Sequence, residues 1–492
     1  MELETNDHEQ VLSKEPTLKE KTAKGLFWGG ISNFVQQLIG MVFGMFIARI
    51  LLPEDYGLVT MLAIFPAISN TIMDSGFSIA LVNKETIAHK DYNAVFWFNL
   101  LVGIGMYFVL FLFAPLIANF FDQPVLTNLS RILFLSFLIS SAGIAHNSIL
   151  LKKMQAKQRG IIDMASVFLS GSIGLFLAFK GFAFWGLAFQ QVIQSLTSVL
   201  LRWYFSRWKP TFEFDFSQLK NMFAFSIKLF LTNVLSQISS NLFPTIVGKL
   251  YGKIETGYYA QGSKWAGYGN AVVVSTINSI AHPVLVEAKT DIPRQLQIFR
   301  KMLRFGGFLS FPAMLGLAFV SRDFILIFLG EKWINSVIYL QLYCIWGING
   351  YLVSLYLLLI YSHGKSDIYL KLTLILFVSQ LIGLLVCSPF GVLVMVYIFL
   401  GLYLCSTFLW QYYANKLIGL KIKDIFRDLF PYFAATIFSI GIAWCLSILI
   451  DNIYLKFAVK CISMIAIYCL ILWRANSIIF KEGLNYLKGS KI

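Results

Sequence analysis

The sequence predicts an all-α, polytopic membrane protein of about 14 transmembrane helices, arranged as two parallel six-helix lobes plus a C-terminal helix pair. Three observations carry this expectation. Of 492 residues, 58% are hydrophobic and only 13% are charged, about half the charge density with which a soluble domain wets its surface. Apolar windows long enough to cross about 30 Å of hydrocarbon recur along the whole chain. The polar pattern of the first window returns in the seventh, 200 residues later. The composition excludes a soluble enzyme, a disordered chain and a collagen-like fibre.

The windows run near 25–48, 57–82, 93–119, 129–151, 161–179, 182–204, 221–247, 257–284, 301–321, 333–361, 367–386, 390–415, 429–450 and 454–475. The residues before the first (1–24) are polar and mixed in charge. They lack the short apolar core of a cleaved signal peptide, so the first span is expected to direct insertion. The organisation expected is a cytoplasmic N-terminal tail (1–24), an N-lobe (25–204), a cytoplasmic linker (205–220), a C-lobe (221–415), and a C-terminal helix pair with its tail (416–492). No connection is long enough to fold into a domain of its own, so any chemistry must sit inside the bundle. The six cysteines lie in or beside apolar runs and form no CxxC pair, which reads as small core residues rather than disulfides or a metal site.

Charge sets the orientation. The 40 Lys and Arg against 25 Asp and Glu give +15, the excess that membrane proteins keep on the cytoplasmic side, with no nucleic-acid partner implied. Counted in alternating connections, the set containing the N-terminus holds 29 Lys and Arg and the other set holds 8. The contrast places both termini in the cytoplasm and supports the even number of spans.

At an offset of 200 residues Asn33 matches Asn233, Gln37 matches Gln237, Phe43 matches Phe243 and Gly57 matches Gly257. Arg49 matches Lys249, and Ser32 is close to Thr232. Six spans separate the copies, so they share one orientation and read as parallel repeats, a transporter plan. The segment from Gly25 to Met61, with ARILLPEDYG at 48–57, DSGFSIALV at 74–82 and GYYAQGSKW at 257–265, resembles the polysaccharide-unit (Wzx-type) flippases of the multidrug/oligosaccharidyl-lipid/polysaccharide (MOP) superfamily. The resemblance implies that an undecaprenyl-diphosphate-linked oligosaccharide is moved from the inner to the outer leaflet by alternating access of the two lobes. The setting it implies is the bacterial cytoplasmic (inner) membrane. The candidate partners are the lipid-linked oligosaccharide, membrane lipid, and the polysaccharide polymerase and chain-length proteins of an O-antigen, capsule or exopolysaccharide pathway.

Polar groups inside hydrocarbon are costly unless they face protein or water. Asn33 and Gln37, four residues apart, share one face of the first span, and Asn233, Gln237 and Asn241 repeat the pattern in the seventh. They are read as the wall of a hydrated cavity whose amides suit sugar hydroxyls; hydrogen bonding within a lobe is the alternative. Gln190, Gln191, Gln194, His146 and Asn147 are weaker candidates of the same kind. Lys228 and Lys264 are basic residues well inside spans. A diphosphate calls for such cations, although a long side chain near a span end also snorkels. Lys460 is expected to snorkel, and Arg49 and Lys249 to anchor helix ends. Asp74, the carboxylate clearly within a span, is expected to meet Lys228 as an inner gate, or to serve as a coupling site for a proton or cation.

The chain has no HExxH, no CxxC and no Walker-type loop, so no metal, cofactor or ATP site is expected, and the protein is read as a transporter rather than an enzyme. Two other readings stand beside the flippase. A cation-coupled multidrug exporter of the same superfamily is disfavoured by the C-terminal pair and by the lack of a carboxylate in the first span. A membrane glycosyltransferase or polymerase is disfavoured by the short connections.

Overall fold

The computed structural model describes residues 18–74, 81, 87–213, 217–477 and 479–482, without the side chains of 18–27, 73–74, 217–231, 279–280 and 282–283. The described residues form helices and no strand. Helix α1 (Leu18–Ile50) is followed by α2 (Pro53–Met61) and α3 (Ile64–Asp74). These two divide the window expected at 57–82. Pro53 suits the first turn of α2, where no N–H partner exists, and the Asp55 carboxylate accepts the Leu52 N–H at 2.9 Å. Next come α4 (His89–Phe120), α5 (Leu126–Leu133), α6 (Leu135–Ser141) and α7 (Ile144–Lys152). The run from Leu126 to Lys152 bends by 42°. Its serines explain why: Ser136, Ser140 and Ser141 donate to the carbonyls of Leu133, Ser136 and Leu138 at 2.6–2.8 Å, the back-bonding that bends helices.

The first half of the molecule ends with α8 (Ala156–Phe179) and α9 (Ala183–Ser206). The second half opens with α10 (Ser217–Glu287), 71 residues long. At 1.5 Å per residue a straight α10 would measure about 105 Å, three times the hydrocarbon thickness. It does not run straight: Gly252 has φ +80° and ψ −173°, a conformation only glycine adopts freely. It splits α10 into two arms, 217–251 and 253–287. Then follow α11 (Ile292–Phe324), a π turn (Ile325–Leu329) and a 3₁₀ turn (Glu331–Trp333). The remaining helices are α12 (Ser336–Ser362), α13 (Ser366–Cys387), α14 (Val392–Ile418), α15 (Ile422–Ser447) and α16 (Ile453–Arg474).

Nine helices among the described residues are long and apolar enough to cross a membrane, or ten with the bent Leu126–Lys152 run. The chain is a multi-pass membrane protein. The other four expected windows fall on α2–α3, two helices of 9 and 11 residues that are each too short to cross, and on α9 and the two arms of α10, whose amides, hydroxyls and lysines dilute their apolar character. Phe108, Leu112, Leu116, Phe176, Val386, Phe408, Phe430 and Ile462 are each more than half exposed. Water would not tolerate such a belt, and lipid does.

The largest core joins the two halves. Ile47, Ala48, Met61 and Leu62 are buried with Phe243, Val247, Trp265, Leu329 and Trp333. The start of the connection after α9, residues 207–213, is fastened to α4. The Thr211 N–H donates to Asn93 Oδ1 at 2.9 Å, Asn93 Nδ2 donates to the Glu213 carbonyl at 2.6 Å, and Trp97 Nε1 donates to the Thr211 carbonyl at 2.7 Å.

The C-terminal pair α15–α16 packs on α11. Lys460 does not snorkel as expected. It is 9% exposed, and its Nζ lies 2.6 Å from Asp323 Oδ2 of α11. Near the other end of α11, Arg300 donates to both oxygens of Asp428 at 2.7 and 3.1 Å, and Lys301 pairs with Glu482 at 2.9 Å. Buried ions are held only with a partner, and here that partner is 137 residues away in the chain.

Candidate functional site

The two halves interlock at the end where α1 meets α2 and where the arms of α10 meet. Gly57 of α2 lies so close to the second arm of α10 that a Cβ would collide with the backbone of Lys253; a Cβ on Gly257 would collide with the backbone of Pro53. The contact is reciprocal. Residue 53 meets 257 and residue 253 meets 57, so the 200-residue offset relates one side of the interface to the other. Only glycine permits such an approach. Both glycines stand one turn inside their helices rather than opening them.

Around this contact Lys253 pairs with Glu54 at 2.6 Å and Lys249 with Asp122 at 2.6 Å. Arg49 donates to the Ile327 carbonyl at 3.3 Å, Lys332 to the Arg49 carbonyl at 2.9 Å, and Trp333 Nε1 to the Ala48 carbonyl at 2.8 Å. The rings of Tyr56 and Trp333 meet edge to face at 5.4 Å. Arg49 and Lys249, expected as anchors, each join one half to the other.

Beneath the interlock lies a polar cavity of about 210 Å³. Helix α1 contributes Gln36, Gln37, Gly40 and Gly44, α8 contributes Ser170, α9 contributes Gln190 and Gln194, and α2 contributes Tyr56. From the second half come Lys264 and Tyr268, one helical turn apart and so on one face. The two α1 glycines form the notch that receives them. A Cβ at Gly40 would meet the Tyr268 hydroxyl at 3.3 Å, and one at Gly44 would meet Lys264 Nζ at 3.4 Å.

The Lys264 ammonium lies 5.6 Å from the Tyr56 ring centre and 6.0 Å from that of Tyr268, within cation–π range. None of the ion pairs among the described residues includes it. The cavity therefore offers one cation, with aromatic faces beside it and neutral amides and a hydroxyl around it. A second cavity of about 570 Å³ lies between α11, α12, α14 and α15 and is almost wholly apolar, with Phe311, Leu352, Phe408, Phe426, Phe430 and Phe433 in its wall.

Of the residues expected at the site, Lys264 and Gln37 line the polar cavity, and so do Gln190 and Gln194, which ranked lower. Asn33 and Asn233 are exposed outside it. Gln237 and Asn241 are also outside: the Gln237 carbonyl accepts from Asn241 Nδ2 at 2.9 Å and from Ser240 Oγ at 3.1 Å along the same helix. Ser236 bonds Tyr369 at 3.0 Å and Ser239 bonds Gln380 at 3.2 Å, so these two serines of the first arm of α10 pack within the second half. His146 is buried against Trp203 and bonds Ser206 at 2.7 Å, a structural role. The side chains of Asp74 and Lys228 lie outside the described residues. Tyr56 and Tyr268 were not expected. Their signal is the position of Tyr268 four residues after Lys264, and of Tyr56 within ARILLPEDYG.

A family model described as polysaccharide biosynthesis protein matches residues 46–338, more than half of the chain. The chain belongs to that family. The match spans the whole interlock, together with Tyr56, Lys264 and Tyr268. Two relatives of this polysaccharide biosynthesis protein are similar over about two thirds of its length. The lipopolysaccharide biosynthesis protein WzxC of Escherichia coli K12 is 25% identical over 338 residues, 68% of each chain. The succinoglycan biosynthesis transport protein ExoT of Rhizobium meliloti is 25% identical over 319 residues, 65% of each chain. In fold, the protein is similar to the lipid II flippase MurJ in an inward closed conformation, with a TM-score of 0.73 at 17% identity over 93% of this chain and 99% of that one.

Proposed function

We propose that this polysaccharide biosynthesis protein is a transporter that flips an undecaprenyl-diphosphate-linked oligosaccharide from the inner to the outer leaflet of the bacterial cytoplasmic membrane by alternating access. The observation that carries the proposal is the cavity between the two halves, where one cation that has no ion-pair partner among the described residues faces a wall of glutamines beneath an interlocked end. A diphosphate in a low-dielectric site requires positive charge, and sugar hydroxyls both donate to and accept from amides. The apolar cavity beside α15 suits the hydrocarbon chain of such a lipid.

The organisation proposed is 14 spans in two six-helix lobes (25–204 and 221–415), a linker and a C-terminal pair (416–492), with both termini cytoplasmic. The 29 to 8 distribution of Lys and Arg supports this orientation. It makes the interlocked end the outer one and the state seen here closed to the outside. Asp74 and Lys228 remain the proposed inner gate. Asn33, Asn233, Gln237 and Asn241 are proposed as substrate contacts nearer the inner opening. No enzymatic step is assigned to the chain. Polysaccharide polymerase and chain-length proteins are proposed to act beside it.

The test is Lys264→Ala in cells that lack the chromosomal gene, with polymer at the surface as the readout. Transport should be lost while the protein still inserts, and Lys264→Arg should retain part of it, because charge survives with altered geometry. Normal transport by Lys264→Ala at matched expression would remove the diphosphate-binding role.

A further inference from the structure

We infer that the second half carries a carbohydrate-binding groove at the interlocked end, separate from the central cavity, that holds the glycan as it leaves. The inference rests on the proposed transport of a lipid-linked oligosaccharide. The groove encloses about 690 Å³, within the roughly 300–1,000 Å³ typical of small-ligand sites. Tyr251 and Glu255 border it from the turn between the arms of α10, Asn335, Tyr339 and Gln341 from the start of α12, and Phe390 from the turn before α14.

Two features define its chemistry. The first is the Glu255 carboxylate. Tyr339 donates its hydroxyl to Oε2 at 2.9 Å, and the other oxygen meets no donor among the described residues. The ion pairs among the described residues do not include Glu255. A carboxylate with a free oxygen accepts from hydroxyls and repels phosphate. The charge is thus opposite to that of Lys264, and the groove suits the sugar rather than the diphosphate. The second feature is aromatic surface. Tyr251 is held by its hydroxyl on the Ser388 carbonyl, and Phe390, 69% exposed, stands at the rim. Flat apolar rings beside a few placed polar groups match a sugar, which has C–H faces and hydroxyl edges. Gln341 donates to Ser321 at 3.0 Å, which leaves its carbonyl as a further acceptor.

The position fits a hand-off. Lys253 and Glu255 are two residues apart, about 200° around the helix. Lys253 turns to Glu54 in the interlock, and Glu255 turns to the groove. One helical turn therefore has the interlock on one side and the groove on the other. A glycan released as the interlock parts meets the groove next.

The experiment is binding of free oligosaccharide to the full-length protein in detergent, read by saturation-transfer NMR. The probe is the reducing oligosaccharide cut from the host's lipid-linked pool by mild acid, so it carries neither lipid nor phosphate. Surface polymer is measured for the same variants. Glu255→Gln keeps the shape of the side chain, and Phe390→Ala removes an exposed ring, so both should fold. Each is expected to weaken binding by about tenfold, the effect of one lost charged hydrogen bond or stacking face. Binding equal to wild type in both variants would overturn the groove, as would no binding by the wild-type protein. Pyrophosphate binding that Glu255→Gln strengthens, without glycan binding, would also overturn it. Because the probe cannot be transported, a failure here leaves surface polymer and the Lys264 result untouched. A failed flippase reading appears instead as normal polymer in Lys264→Ala.

Discussion

Substituting Gly257 by alanine should force the interlocked end open. The new Cβ would lie 2.6 Å from the carbonyl carbon of Pro53 and 3.0 Å from its Cα, where carbon pairs rest at roughly 3.5–4.0 Å. Both neighbours are backbone atoms, so no rotamer relieves the clash and the helices must part by about 1 Å. Overpacking of this kind costs about 1–3 kcal/mol. At 3 kcal/mol the ratio of closed to open forms falls about 150-fold, so a 99:1 preference for closure becomes roughly 2:3. Gly57→Ala acts on the other side of the same contact and should couple with Gly257→Ala rather than add to it. The assay places a reporter cysteine at Gln37, in a background with the six native cysteines replaced, and follows labelling of intact cells by an impermeant maleimide. Labelling in Gly257→Ala should be at least about tenfold faster than in the parent. Without the reporter, surface polymer should fall. Gly267→Ala is the control: it lies on the same arm of α10, gains the same helix propensity and meets nothing within 4 Å. If Gly257→Ala labels no faster than Gly267→Ala and exports polymer normally, the close approach does not hold the end shut.

Three further expectations follow from the geometry. Lys460→Ala and Asp323→Ala should each lower stability by about 3–5 kcal/mol, because the remaining charge is left buried, while Lys460→Met with Asp323→Leu should recover most of it; thermal unfolding in detergent measures this, and equal losses in single and double variants would contradict it. A cysteine at Thr211 should resist an impermeant thiol reagent in intact cells while one at Asn335 reacts, and the reverse pattern would invert the proposed orientation. Asp74→Lys and Lys228→Asp should each abolish surface polymer and regain part of it when combined. No regain, together with loss of pH-dependent uptake in Asp74→Asn alone, would favour a coupling site over a gate.

Much of the helical framework is legible in the apolar windows, because length and hydropathy are local properties. The breaks are less legible. The turn at Leu62–Ala63 and the 42° bend after Ser141 arise from hydrogen bonds that compete within an apolar run, and apolar averages do not register them. The repeat shows how far pattern reaches: Gly57 and Gly257 could be matched in the sequence, but only contact reveals that each faces the partner of the other. Helical spacing likewise placed Asn33 with Gln37, and Gln237 with Asn241, on shared faces. Spacing cannot say what a face meets, and so Gln37 lines the cavity while Gln237 lies outside it and the Asn241 side chain bonds back along its own helix. Lys264 was legible as a costly charge that needs a reason. The notch of Gly40 and Gly44 that seats it belongs to the other half of the chain. Lys460 was misread for the same cause, since nothing local points to Asp323.

The ties between α11 and the C-terminal pair give experimenters a handle. Ion pairs fasten α15 and α16 to α11 near both ends, through Lys460 with Asp323, Arg300 with Asp428 and Lys301 with Glu482. A body pinned twice along its length cannot pivot on its support. The turn between α15 and α16, where Leu449 is 92% exposed, therefore follows α11 as a pointer follows its dial. A dye or a rigid fiducial attached there would track the second half through a transport cycle and leave the glutamine-lined cavity untouched.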